Sequence, residues 1–171
     1  FTLGILNGHP GDLPRYRGNA CPNWAILNGE TEVCMSIHLM SAELDAGPIY
    51  LKEYFEISDN TYIGDFMEWH EEITPTMFSR TIRGLDEGSL VAEPQDLSID
   101  TIRTFPRRPS DSRIDWTQPC EFIHRLIRAS SVPFDGSFAL LEDGRHITIF
   151  RAEIVPVNYR FHALPGQICE I

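Results

Sequence analysis

An apolar run at residues 1–6, FTLGIL, stops at Asn7 and His9 and gives way to a segment holding Gly8, Pro10, Gly11, Pro14, Arg15 and Arg17. A short apolar run closed by turn residues reads as a buried strand, here over residues 1–7. Residues two apart on a strand point to the same side. Asn7 and His9 therefore reach one point just beyond the strand's carboxyl end, where open α/β sheets place their ligands.

Further along, NACPNWAILN (Asn19–Asn28) has Pro22 early and Gly29 just past its end, the punctuation of a short helix. EVCMSIHLM (32–40) suits a strand, a turn follows at Asp45–Pro48, and Ile49–Ile57 alternates as a second strand, so the pair reads as a hairpin. Thr61–Arg83 has apolar residues at helical spacing, with Pro75 expected to break or kink the helix. These elements group as a partial core over residues 1–87. Residues 88–112 are rich in proline and serine with little periodicity and read as a linker. A second unit, 113–171, opens with a helix that has Thr117 as its capping residue and Pro119 in its first turn, with Phe122, Ile123, Leu126 and Ile127 on one face. Two alternating runs joined by Asp143-Gly144 then signal a hairpin. The chain opens on Phe1 inside one strand pattern and closes inside another, ALPGQICEI, which reads as a fragment incomplete at both ends.

Fourteen basic against 25 acidic residues give a net charge of −11, and Lys52 is the one lysine. A nucleic-acid binder usually presents a basic face, so this balance speaks against nucleic acid as a partner. It leaves room for a small phosphate-bearing ligand, since arginine suits bidentate phosphate contacts. Arg15 and Arg17, and the group Arg103, Arg107, Arg108 and Arg113, either serve such a ligand or are solvated partners for carboxylates. No run approaches the roughly 18 apolar residues of a spanning helix, so no membrane is expected. Cys21, Cys34, Cys120 and Cys169 lack CxxC spacing, which indicates neither a zinc site nor a disulfide framework and points to a reduced cytoplasm. His38, His70, His124, His146 and His162 show no ligand spacing, and no metal is expected.

An amide can donate to a developing oxyanion, an imidazole can move protons near neutral pH, and a carboxylate beside it can orient the ring. Asn7, His9 and Asp45 thus suit acyl transfer. The alternative is an ordinary strand end and a turn aspartate bonding its own backbone.

NGHPGDLPRYRG, then NWAILNGETE, then MSAELDAGPI resemble, in order, the signatures of the formyltetrahydrofolate-dependent formyltransferase family. RRPSDSRIDW, IHRLIRASSVPFDGSFALL and ALPGQICEI are similar to the carboxyl-terminal subdomain of members that modify methionyl-tRNA or nucleotide-linked amino sugars. The resemblance implies an α/β fold: a Rossmann-like formyltransferase core lacking its amino-terminal half, followed by a small α+β, OB-like carboxyl-terminal subdomain. It also implies that Asn7 polarises the formyl carbonyl and stabilises the oxyanion, that His9 carries the proton, and that Asp45 holds His9 and raises its pKa. N10-formyltetrahydrofolate would touch Gly11, Asp12, Leu13 and Pro14 after the histidine and Ser41, Ala42, Glu43 and Leu44 before the aspartate. Arg17, Asn19 and Trp24 would meet the acceptor, and Tyr16, Trp24, Trp69 and Trp116 either stack on a base or are buried aromatics.

In place of the family's usual Ser-Leu-Leu-Pro this chain has Gly11, Asp12, Leu13 and Pro14, which removes a hydroxyl and sets a carboxylate beside the cofactor path. NWAILNGE resembles the sugar-nucleotide members more than the tRNA members, and the acidic charge agrees. The expected acceptor is therefore a nucleotide-linked amino sugar, with methionyl-tRNA as the alternative and a homodimer compatible with either. A folate- or nucleotide-binding remnant without turnover is the reading from another class.

Overall fold

The computed structural model describes residues 4–99 and 101–169. Three strands form the main sheet in the order β1 (Leu6–His9), β3 (Glu32–Leu39), β4 (Ile49–Glu56), with both pairings antiparallel. Of the strand expected over residues 1–7, residues 1–3 lie outside the described residues, Gly4 and Ile5 are exposed and outside the strand, and the pairing runs from Leu6 through His9. Asn7 and His9 consequently lie within the strand, facing a neighbour, and not beyond its end.

Strand β3 is buried along both faces from Val33 to His38. Its odd positions Met35 and Ile37 join Met77, Leu6, Leu51 and Phe78 in a cluster under helix α2 (Ile63–Asp86). Its even positions, Cys34, Ser36 and His38, turn to the opposite face, where Ser36 Oγ donates to the Gly11 carbonyl at 2.8 Å. Directly opposed residues of an antiparallel pair share a face. The register Asn7 to His38 and His9 to Ser36 therefore puts four polar side chains on one side of the sheet. The hairpin to β4 is the expected one, with an irregular register between Ile37 and His38.

Helix α1 (Cys21–Asn28) starts with Pro22 in its first turn and ends at Gly29, whose φ of 76° is left-handed and whose N–H reaches the carbonyls of Ala25 and Ile26. Ala25, Ile26 and Leu27 pack with Phe66, Leu126, Ile127 and Ala129 in the larger core, which joins α1 to α2 and α3 (Cys120–Ser130). Asn23 Nδ2 donates to the Ala129 carbonyl at 2.8 Å and Arg125 Nε to the Leu27 carbonyl at 3.0 Å, tying the same helices through polar groups.

The expected break at Pro75 does not occur; α2 runs through it. Proline costs a helix one donor and crowds the carbonyl four residues back. Here Glu71 and Pro75 are exposed, so water can serve that carbonyl, and the neighbouring His70 carbonyl accepts from Thr74 Oγ1 at 2.6 Å. Thr117 does not cap α3, which begins after Pro119 without a side-chain cap. Asp115 takes the Thr117 N–H and hydroxyl instead, at 3.0 and 2.6 Å. Within residues 88–112, Ile102–Thr104 forms strand β5, parallel to β2 (Tyr16–Gly18). The Asp143-Gly144 hairpin pairs β6 (Ser137–Leu140) with β7 (His146–Ile149), and Gly144 takes φ 83° at its turn. Described residues after 150 hold no strand, so the pattern read in ALPGQICEI does not pair here; Glu170 and Ile171 lie outside the described residues.

Candidate active site

Four side chains meet on the polar face of β1 and β3. His9 is 4% exposed. Its Nε2 lies 2.8 Å from the Tyr16 carbonyl, and because a carbonyl only accepts, Nε2 carries the hydrogen. Nδ1 then holds the lone pair and faces Asp45 Oδ2 at 3.7 Å. The other carboxylate oxygen of Asp45 lies 3.8 Å from His38 Nε2, and that nitrogen is 3.1 Å from Asn7 Nδ2. Asn7, His9 and Asp45 are thus brought together as expected from sequence. His38, assigned no role there, stands among them.

Asp45 is held from three directions. Its backbone takes φ 49°, a left-handed conformation that aspartate tolerates in turns. The Gly18 N–H donates to Oδ2 at 2.9 Å, and Gln95 Nε2 donates to the Asp45 carbonyl at 2.9 Å and to Gly47 at 2.6 Å. Gly47 is required: a Cβ there would lie 1.7 Å from the Leu39 carbonyl oxygen.

Asp45 raises the pKa of His9, as expected, but the net shift is downward. Burial disfavours the imidazolium and lowers the pKa below 6.5; the Tyr16 hydrogen bond and the Asp45 charge pull upward without overcoming it, and His38 adds to the lowering. The ring is therefore a neutral base at pH 7. Cys21 Sγ approaches Nε2 at 3.6 Å, and burial pushes that thiol up to about 11, so it sits there uncharged.

The residues expected along a cofactor path are placed as follows. Gly11 is buried, and a Cβ there would lie 2.5 Å from His9 Nε2. Asp12 Oδ1 accepts from Lys52 Nζ at 2.7 Å and from Tyr54 at 3.2 Å, which neutralises the carboxylate. Leu13 is fully buried and Pro14 half-buried. Ser41, Ala42, Glu43 and Leu44 are exposed, with Ser41 Oγ bonded to the Glu43 carbonyl at 2.8 Å. Of the acceptor candidates, Arg17 is tied to that loop through Leu44 O at 2.8 Å and Glu43 at 3.5 Å. Asn19 is exposed. Trp24 donates to the Phe105 carbonyl at 2.8 Å under the Arg107 guanidinium. Tyr16 and Trp69 pack in the cores, and Trp116 covers Gly166. A cleft of about 980 Å³ lies between Gly29–Thr31, the start of α2, and α3; none of these predicted residues lines it.

Residues 1–82 match the family model described as formyl transferase, and residues 107–171 match the formyl transferase C-terminal domain. The chain belongs to the formyl transferase family. A methionyl-tRNA formyltransferase of Pelobacter propionicus is 34% identical over 152 residues, 89% of this formyl transferase chain and 47% of the relative. The chain spans about half the length of the curated relatives it matches. Among solved structures, a 4-N formyltransferase from Francisella tularensis superposes with a TM-score of 0.73 at 19% identity, covering 89% of this chain and 63% of that one. An N-formyltransferase from Helicobacter canadensis, solved with folinic acid and dTDP-3-aminofucose, gives 0.65 at 23% identity over 73% and 46%. These likenesses place the family fold on this chain.

Proposed function

We propose that this chain carries the site of an N-formyl transfer from N10-formyltetrahydrofolate to the amino group of a nucleotide-linked amino sugar. The observation that carries the reading is the convergence of the Asn7 amide, the free Nδ1 of His9 and the Asp45 carboxylate on one sheet face. When bound, the folate supplies a formyl carbon activated by its nitrogen. Asn7 Nδ2 has one hydrogen on His38 and a second to give to the carbonyl oxygen as the acceptor nitrogen adds to that carbon. His9 Nδ1 takes the proton released by the acceptor nitrogen and returns it to the departing folate nitrogen, so the ring ends as it began. Asp45 faces Nδ1 and offsets the positive charge of the imidazolium between those two proton transfers. The N-formylated amino sugar and tetrahydrofolate are the products. Ile5, Met40 and Leu44 are exposed large side chains, the Met40 N–H bonds the Ile5 carbonyl at 2.8 Å, and Leu44 adjoins Asp45; they would offer apolar surface to the folate ring.

Charge supports the sugar acceptor. With a net −11, a tRNA complex needs a free basic face. Arg15, Arg80, Arg145 and Lys52 are paired with carboxylates, Arg17 is held by Glu43 and Leu44, and Arg107 is bonded to Ala129, Asp111 and Ser130. A diphosphate needs only one or two arginines, and Arg103, Arg108 and Arg113 are exposed. The second reading, methionyl-tRNA as acceptor, is favoured by the name of the 34% identical relative.

The test is turnover with N10-formyltetrahydrofolate, side by side at matched salt, on initiator methionyl-tRNA and on a panel of dTDP-, UDP- and GDP-linked amino sugars. Formylation of a sugar and none of the tRNA is expected. Efficient formylation of the tRNA with no sugar turned over overturns the acceptor. Turnover of none favours a binding remnant.

A further inference from the structure

Resting on the formyl-transfer reading, we infer that His38 is a positioning residue that fixes the Asn7 amide so that an N–H, and not its oxygen, is presented to the reacting carbonyl. The two residues are directly opposed in the β1–β3 register, and Asn7 Nδ2 lies 3.1 Å from His38 Nε2. His38 Nδ1 lies 3.1 Å from the Leu39 carbonyl, which only accepts, so Nδ1 carries the hydrogen and Nε2 offers a lone pair. A lone pair at Nε2 accepts from the amide NH2 and repels the amide oxygen. One of the two amide orientations is thereby selected, and its second N–H has no partner among the described residues.

The selection matters because an amide turned over would set its oxygen against a developing oxyanion, converting a stabilising dipole into a repulsive one. His38 is 1% exposed on the middle strand of the sheet, so bulk water does not compete for its Nε2. The competing arrangement has the hydrogen on Nε2 with Asn7 reversed. In that arrangement Nε2–H would be given to the reversed amide oxygen, but Nδ1 would then turn a lone pair to the Leu39 carbonyl at 3.1 Å, which has no hydrogen to give. His38 is thus the mirror of His9: each ring gives one N–H to a backbone carbonyl, through Nε2 in His9 and Nδ1 in His38, and turns its lone pair to the site.

The experiment uses the protein as its gene encodes it and has two arms. The first is the 15N spectrum of the wild-type imidazoles and of the Asn7 side chain. An unprotonated Nε2 and protonated Nδ1 in His38, with a 15N–15N coupling from Nε2 to the Asn7 amide, are expected; a protonated Nε2 overturns the inference, and this arm needs neither turnover nor a folded variant. The second arm is kinetic. His38→Leu is expected to lower kcat by about 10-fold or more with little change in KM, and His38→Gln, whose oxygen accepts in place of Nε2, to restore most of it. In an Asn7→Ala background, His38→Leu should cost less than about twofold further, because the group it positions is gone. Full additivity of the two losses, or an unchanged kcat in His38→Leu, overturns the inference while the formyl-transfer reading survives. An Asn7→Ala variant with wild-type kcat overturns the inference together with the oxyanion role of Asn7, whereas a wild type that formylates no acceptor overturns the formyl-transfer reading.

Discussion

The Nε2 hydrogen of His9 is given to the Tyr16 carbonyl at 2.8 Å, and this one bond decides which end of the ring does chemistry. Nδ1 is left with the lone pair, facing Asp45 at 3.7 Å, and burial keeps it unprotonated near neutral pH. The acid limb of kcat/KM is therefore expected below pH 6.5, with a plateau above it.

Asp45→Asn moves that limb in a defined direction. The Asp45 charge is one of the influences raising the His9 pKa against burial. Removing it lets the pKa fall further, so the acid limb shifts to lower pH, while the plateau drops because the imidazolium between the two proton transfers loses its countercharge. A pH–rate profile of the variant measures both. A limb and plateau unchanged from wild type would make Asp45 a turn residue only.

The lowered pKa of His9 also couples folding to pH. The unfolded ring titrates near 6.5 and the folded ring below it, so in acid the unfolded state binds a proton that the folded state refuses. Stability is full above pH 6.5 and is lost as pH falls toward the folded value. His70, lowered by burial as well, acts in the same sense. Denaturant unfolding at pH 7.5 and 5.5 should show the loss in wild type and a smaller loss in His9→Asn. An equal loss in the two would remove His9 as a source.

Gly47→Ala drives a Cβ to 1.7 Å from a backbone oxygen, which only a backbone shift relieves. The expected cost is about 3 kcal/mol or more, read as a fall of roughly 6–12 °C in Tm for a chain of this size. A Tm within a degree of wild type would mean that the Asp45–Pro48 turn is far softer than its contacts with Gln95 indicate.

Much of this site was legible where local chemistry decides. Pro22 and Gly29 punctuate α1, the turn at Asp45–Pro48 makes a hairpin, and Asn7 and His9 share a side because strands alternate. His38 was not legible in the same way, because its role depends on a register joining residues 31 apart. One signal was available: Cys34, Ser36 and His38 fall on the alternate positions of an otherwise apolar strand, a polar stripe that needs a polar partner. Strand β5 escaped because three residues pairing with β2 carry no periodicity of their own. The depressed pKa of His9 escaped because burial, which sets it, comes from the packing around the ring and not from the Asp45 that sequence pairs with it.

The most direct measurement of the central claim is the single-turnover rate of formyl transfer by His9→Ala beside wild type, with the acceptor that the panel identifies. Loss of the Nδ1 base predicts a rate lower by about 10²–10⁴-fold with KM changed only a few-fold. A variant that transfers the formyl group at a rate near wild type would contradict the account.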